Sequence, residues 1–159
     1  MFDIVARFSA ACILVVDDSV FERRLITVAL KKAGFNKIEA ANDGVEALRK
    51  TYDLRPDLVL LDLCMPNLDG FGYCEKVRSD KQLLRMPIIV QTALEDRQSR
   101  LRALSCGATD FLLKPIDMDE LSLRICLHVE NYFMLHQLKA LRDYLDFIPR
   151  KDQEIVVRP

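Results

Sequence analysis

Four apolar runs in this chain each end in a residue suited to handling a phosphoryl group. Cys12-Ile13-Leu14-Val15-Val16 leads into Asp17 and Asp18, and Leu58-Val59-Leu60-Leu61 leads into Asp62. Ile88-Ile89-Val90-Gln91 leads into Thr92, and Phe111-Leu112-Leu113 leads into Lys114 and Pro115. Short apolar runs separated by amphipathic stretches read as strands of a parallel sheet buried on both faces. Ligands of such open sheets bind outside the carboxyl ends of the strands. Three carboxylates, a hydroxyl and an ammonium would therefore meet in one pocket. Carboxylates that close raise one another's pKa unless a cation compensates. Hard oxygen ligands with room left for water and a phosphate oxygen suit Mg²⁺. Both histidines, His128 and His136, fall on the last helix, which argues against zinc or a redox metal.

The elements that must position this set alternate regularly. Ser19-Val20-Phe21-Glu22 is a capping box, and the helix it opens stops at Gly34. Residues 37–41 form a short strand whose alternating polarity suggests a sheet edge. Asp43-Gly44-Val45-Glu46 repeats the capping pattern, and Pro56 disfavours helix at Arg55. Asp69 caps a helix reaching about Ser79, Pro87 opens the fourth strand, and Glu95 begins a helix closed by Gly107. Asp117-Met118-Asp119-Glu120 caps the last helix. Five βα units predict a doubly wound α/β domain with helices on both faces of the sheet.

That last helix meets no breaker between Met118 and Pro149. It would run about 45 Å at 1.5 Å per residue, whereas strands of ~6 residues span only about 20 Å. Leu127, Asn131, Met134, Leu138, Leu141, Leu145 and Ile148 alternate spacings of four and three along it. This is a heptad seam of about three repeats with Asn131 at an a position, the place where a lone Asn fixes the register of parallel pairs. Parallel pairing with a second copy is the favoured expectation. The alternative is an amphipathic helix folded back on its own domain.

The totals bound the rest. The 159 residues are 50% hydrophobic and 30% charged with a formal net charge of -1. That is enough apolar material for one core, with no basic footprint for nucleic acid or membrane. No apolar stretch approaches ~20 residues, so no transmembrane helix is expected. The first residues hold one Arg and no long apolar core, unlike a signal peptide. The five cysteines lack paired spacing, which suits reduced thiols and a cytoplasmic location.

Val15-Val16-Asp17-Asp18, Leu61-Asp62-Leu63-Cys64-Met65-Pro66-Asn67-Leu68-Asp69-Gly70, Thr92-Ala93 and Lys114-Pro115 together resemble the response-regulator receiver domain of two-component signalling. The resemblance covers residues 11–130. It implies a flavodoxin-like five-stranded parallel sheet of order 2-1-3-4-5 with an extended last helix. It divides the chain into a receiver over 1–130, including a short extension over 1–10, a helical extension over 131–148 and a tail over 149–159. Carried over position by position, it implies that Asp62 is the phosphoacceptor. Asp18, Asp62 and the backbone carbonyl of Cys64 would bind Mg²⁺ directly, with Asp17 acting through water. Thr92 and Lys114 would take separate phosphoryl oxygens. Phosphoryl transfer is mostly positioning and charge stabilisation, which these residue types can supply. A carboxylate is a weak nucleophile but accepts phosphate from an energetic donor such as phosphohistidine.

The implied partners are a histidine kinase or a phosphotransfer protein, and the domain would be no enzyme beyond assisting its own phosphorylation and dephosphorylation. Phe111 stands where the family often has a Tyr whose ring follows the Thr92 shift. Phe keeps the apolar part of that switch and loses one hydrogen bond of about 0.5–1.5 kcal/mol. Two outputs remain open. The chain is a complete regulator acting by protein contact, or the sensory part of a longer one whose stalk drives a dimeric output such as a diguanylate cyclase or phosphodiesterase. Direct DNA binding is not expected, since too few residues follow the last helix for a helix-turn-helix. A haloacid-dehalogenase-like phosphatase is disfavoured, because that family wants a second acid where Cys64 stands.

Overall fold

The computed structural model describes residues 2–93 and 97–147. Five strands, β1 (Cys12–Val16), β2 (Lys37–Ala41), β3 (Leu58–Asp62), β4 (Ile88–Thr92) and β5 (Asp110–Leu113), form one parallel sheet in the order β2-β1-β3-β4-β5. Around it lie α1 (Phe2–Arg7), α2 (Val20–Ala33), α3 (Gly44–Leu54), α4 (Gly70–Ser79), α5 (Arg97–Ser105) and α6 (Met118–Phe147). The expected α/β architecture, strand order and long last helix are all present.

Strand side chains point alternately to the two faces, and two cores result. Leu14, Val16, Val59, Leu61, Ile88 and Val90 pack with Ala47, Tyr73, Val77 and Ala103 on one face. Ile13, Val15, Leu58, Leu60, Ile89 and Leu112 pack with Ile26, Leu30, Leu121, Ile125 and Val129 on the other. Burial on both faces is why β1, β3 and β4 read as unbroken apolar runs, while β2 alternates because it is an edge. In register, Val16 lies opposite Leu61, Asp62 opposite Gln91, and Thr92 opposite Leu113. The carboxyl ends of the strands thus finish level, and the residues after them share one rim.

The caps form where the sequence places them. Ser19, Asp43 and Asp69 each accept a backbone N–H three residues on, and Gly34 closes α2 at φ +115°. Arg55 ends α3 in the left-handed region at φ +49°. β5 begins one residue before Phe111, at Asp110, and Glu95 lies outside the described residues.

One element differs from expectation. The first residues, read only as an extension, contain α1, whose Val5 is buried, followed by Phe8, also buried. Arg7 pairs with Glu130 of α6 at 3.2 Å. A six-residue helix is unstable alone, so packing rather than local propensity holds it. α6 is the long last helix expected. Leu121, Ile125, Cys126 and Val129 seat its first half on the sheet, but every side chain from Phe133 to Phe147 is exposed. The helix stays continuous instead of folding back. Ile148 and the tail over 149–159 lie outside the described residues. Among the described residues, no helix is long and apolar enough to cross a membrane.

Candidate phosphoryl-transfer site

The rim above β1, β3, β4 and β5 holds the candidate site. Asp17 and Asp18 follow β1, Asp62 ends β3, Thr92 ends β4, and Lys114 follows β5. Oxygens from the Asp17, Asp18 and Asp62 carboxylates all lie within 4.8 Å of one another. Asp17 is fully buried, Asp62 is 7% exposed and Asp18 faces solvent.

Asp17 is the fixed point of the cluster. Its Oδ1 accepts the Ser19 backbone N–H at 2.8 Å. Its Oδ2 accepts from Lys114 Nζ at 3.1 Å and from Gln91 Nε2 at 3.3 Å. Lys114 Nζ also donates to Glu22 Oε2 and stands 3.6 Å from Asp62 Oδ1, an ion pair too long for a hydrogen bond. The Lys114 backbone N–H donates to the Thr92 carbonyl at 2.9 Å, which ties the lysine to the end of β4.

The loop after β3 is held as tightly. Gly70 N–H donates to the Leu63 carbonyl at 3.0 Å. A Cβ on Gly70 would stand 2.5 Å from the Asp62 carbonyl oxygen, so no larger residue fits without moving the backbone that carries Asp62. Asn67 turns the loop at φ +64°, a conformation Asn tolerates. Its side-chain amide donates to Asp43 Oδ2 at 2.7 Å.

Burial, opposed by the Lys114 charge and reinforced by that of Asp17, pushes the Asp62 carboxyl up to about 6. Burial likewise raises Asp17 above the ordinary carboxylate value, against its bonds to Lys114 and Ser19. For Lys114, burial works against the charge, yet the bonds to Glu22 and Asp17 and the field of Asp62 outweigh it and hold the ammonium above the usual lysine range. The bond to Lys114 lowers Glu22. The Cys64 thiol is exposed but raised by desolvation and the Asp62 charge, so it is no reactive thiolate.

The donor set fits Mg²⁺. Three carboxylates converge with no imidazole among them, and His128 instead sits against Asp110 at 2.9 Å, at the opposite end of β5. Asp18 and Asp62 can supply oxygens directly, with the Cys64 carbonyl in the loop beside them. Buried Asp17, already engaged by three donors, suits a supporting position.

Phe111 is half-buried and packs with the core that contains Val90, its partner across β4. Two residues beyond Val90 on the same side of β4 is Thr92, so ring and hydroxyl share a face. The predicted seam residues Leu127, Asn131, Met134, Leu138, Leu141 and Leu145 are exposed along α6, away from this site.

Two residues of the site were missed. In the sequence Glu22 shows only as the far half of a capping box. Ser19 Oγ does accept the Glu22 N–H at 3.3 Å, but the Glu22 carboxylate turns to Lys114, and the Ser19 N–H goes to Asp17. In the sequence Gln91 is simply part of the run that leads into Thr92. It is 1% exposed, and its Oε1 accepts no hydrogen bond among the described residues. A polar residue inside an otherwise apolar central strand was the available signal.

Residues 13–126 match the family model described as the response regulator receiver domain. The regulatory protein AtoC of Escherichia coli is 36% identical over 133 residues, covering 84% of this chain and 28% of AtoC. The response regulator PleD of Caulobacter vibrioides is 42% identical over 108 residues, 68% of this chain and 24% of PleD. The solved Francisella response regulator 1452 receiver domain superposes with a TM-score of 0.70 at 30% identity, covering 76% of this chain and 98% of that one. The chain thus spans less than half the length of these curated relatives.

Proposed function

Because this chain belongs to the response regulator receiver domain family, we propose that it accepts a phosphoryl group on Asp62 from a histidine kinase or phosphotransfer protein of a two-component system. The observation that carries the reading is the convergence of Asp17, Asp18 and Asp62 within 4.8 Å, with Lys114 Nζ 3.6 Å from Asp62.

A carboxylate oxygen of Asp62 attacks the phosphorus of a phosphohistidine. The O–P bond forms as the P–N bond breaks, and the electron pair stays on the imidazole nitrogen. Asp62 must be ionised to attack, and with its carboxyl at about 6 it is mostly so at neutral pH. Asp18, Asp62 and the Cys64 carbonyl would hold Mg²⁺, supported by Asp17, and the ion would supply the charge that lets two anions approach. Lys114 neutralises an equatorial phosphoryl oxygen, and the Thr92 hydroxyl donates to another. Thr92 moving toward the phosphoryl group would open space on its face of β4, and the Phe111 ring would follow. Such a shift biases an equilibrium between two states already available.

A second proposal concerns α6. Its exposed Leu127, Met134, Leu138, Leu141 and Leu145, between 48% and 63% accessible, fall on the heptad seam. This favours parallel pairing with a second copy, the form in which a stalk would pass the switch to an output. The reading implies a cytoplasmic location, where a kinase of this kind would act.

Intact-mass measurement after incubation with Mg²⁺ and phosphoramidate tests the first proposal. One added phosphoryl group on the wild type and none on Asp62→Asn is expected. Equal incorporation by both would overturn the choice of acceptor.

A further inference from the structure

We propose that Glu22 is a positioning residue that tethers Lys114 away from Asp62 and acts as a releasable brake on phosphorylation. This rests on Asp62 being the acceptor and adds a determinant of its rate.

The geometry of the ammonium carries the argument. Lys114 Nζ has three protons to donate. One goes to Asp17 Oδ2 at 3.1 Å and one to Glu22 Oε2, while Asp62 Oδ1 stands off at 3.6 Å. A phosphoryl oxygen on Asp62 competes with these two carboxylates for the ammonium, and the further Lys114 turns toward β3 the more one of its present bonds lengthens. The two candidates differ in what release leaves behind.

Asp17 is 0% exposed, and a buried carboxylate stripped of its cation is costly. The Glu22 side chain is 41% exposed, so water replaces the lysine at small cost. It lines an open groove of about 210 Å³ with Phe21, Leu25, Pro115 and Ile116, which gives the freed carboxylate room. Glu22 is therefore the bond that yields. It stabilises the unphosphorylated arrangement and opposes the phosphorylated one. Its lowered carboxyl, caused first by the bond to Lys114, agrees with the tether being made in the resting state.

The role is separable from helix capping. The N–H of Glu22 satisfies Ser19 whatever the side chain is, and Gln is itself a favourable third residue of a capping box. Glu22→Gln therefore removes the charge and keeps the helix start.

The test uses the full chain with Mg²⁺ and phosphoramidate, following phosphorylation by intact mass, in four backgrounds: wild type, Glu22→Gln, Lys114→Ala and the double variant. Glu22→Gln should accelerate phosphorylation by about two- to fivefold, the range of a partly exposed ion pair. In the Lys114→Ala background the same change should alter the rate by less than about 1.5-fold, because the tethered group is gone. Acceleration by the same factor in both backgrounds would overturn the proposal in favour of simple repulsion of the anionic donor. No acceleration, or a slowing, would overturn it outright.

A readout without phosphate separates this failure from failure of the acceptor assignment. The Lys114 side-chain ¹⁵N NMR signal, identified by its absence in Lys114→Ala, should be protected from exchange in the wild type and lose protection in Glu22→Gln. An unchanged signal refutes the tether. A wild type that takes no phosphate overturns the acceptor assignment and the brake together, and the NMR signal still decides whether the tether exists.

Discussion

Replacing Asp62 by Asn should make the metal-free protein more stable, although it removes a group in contact with a lysine. Burial holds the Asp62 carboxyl at about 6, against an ordinary value of 3.8, even with Lys114 nearby. A carboxyl whose folded pKa is raised binds its proton more tightly in the folded state, so it penalises folding once pH exceeds the unfolded value. The penalty reaches its full size above the folded pKa and fades as pH falls toward the unfolded one. Two-state linkage between these two values gives about 3 kcal/mol at pH 7.5, about 2 at pH 5 and less than about 1 at pH 4. Asn carries no charge and escapes the penalty. With about 2–4 °C per kcal/mol for a chain of this size, Asp62→Asn should melt about 6–12 °C above the wild type at pH 7.5. Melting curves by circular dichroism in a chelator at pH 7.5, 5 and 4 measure the gap, which should narrow steadily with acid. Millimolar Mg²⁺ should raise the wild type toward the variant, since an ion bound only by the folded state stabilises it. A variant melting at or below the wild type at pH 7.5, or a gap that ignores pH, would refute the claim that a desolvated carboxylate is stored at the end of β3.

Other outcomes follow from the same geometry. Lys114→Ala leaves Asp17 and Asp62 without their shared cation. It should lower stability by about 3 kcal/mol, as for breaking a buried pair, and slow acyl-phosphate formation, both read on the same samples by melting and intact mass. Gly70→Ala puts a methyl group 2.5 Å from the Asp62 carbonyl oxygen. An overpacking cost of about 1–3 kcal/mol should appear in urea melts, together with weaker phosphorylation, and a neutral Gly70→Ala would contradict the close approach of α4 to β3. Leu138→Asp combined with Leu145→Asp should convert a dimer to a monomer by light scattering without changing the melting of the receiver. Equal mass for the wild type and this pair would remove the α6 pairing proposal.

Much of the molecule was legible without coordinates, and the reason differs from element to element. Three-residue caps at Ser19, Asp43 and Asp69 satisfy N–H groups within one turn, so a short window of sequence encodes them. Double burial writes β1, β3 and β4 as solid apolar runs, and parallel order then places Asp17, Asp18, Asp62, Thr92 and Lys114 on one rim. Other features depended on contacts that no window contains. Glu22 meets Lys114 across 92 residues and Gln91 meets Asp17 across 74, so the capping pattern and the strand pattern each concealed a second partner. α1 is too short to declare itself, and its place comes from Val5 and Phe8 finding a buried surface. Sequence therefore determined the strands, the caps and the placing of Asp17, Asp18, Asp62, Thr92 and Lys114 on one rim. Tertiary structure alone decided which carboxylate holds Lys114, how far burial shifts Asp62 and which half of α6 stays uncovered. Hydrogen-bond partnership and desolvation between distant segments exist only once the chain has packed, because both depend on which atoms displace water around a group.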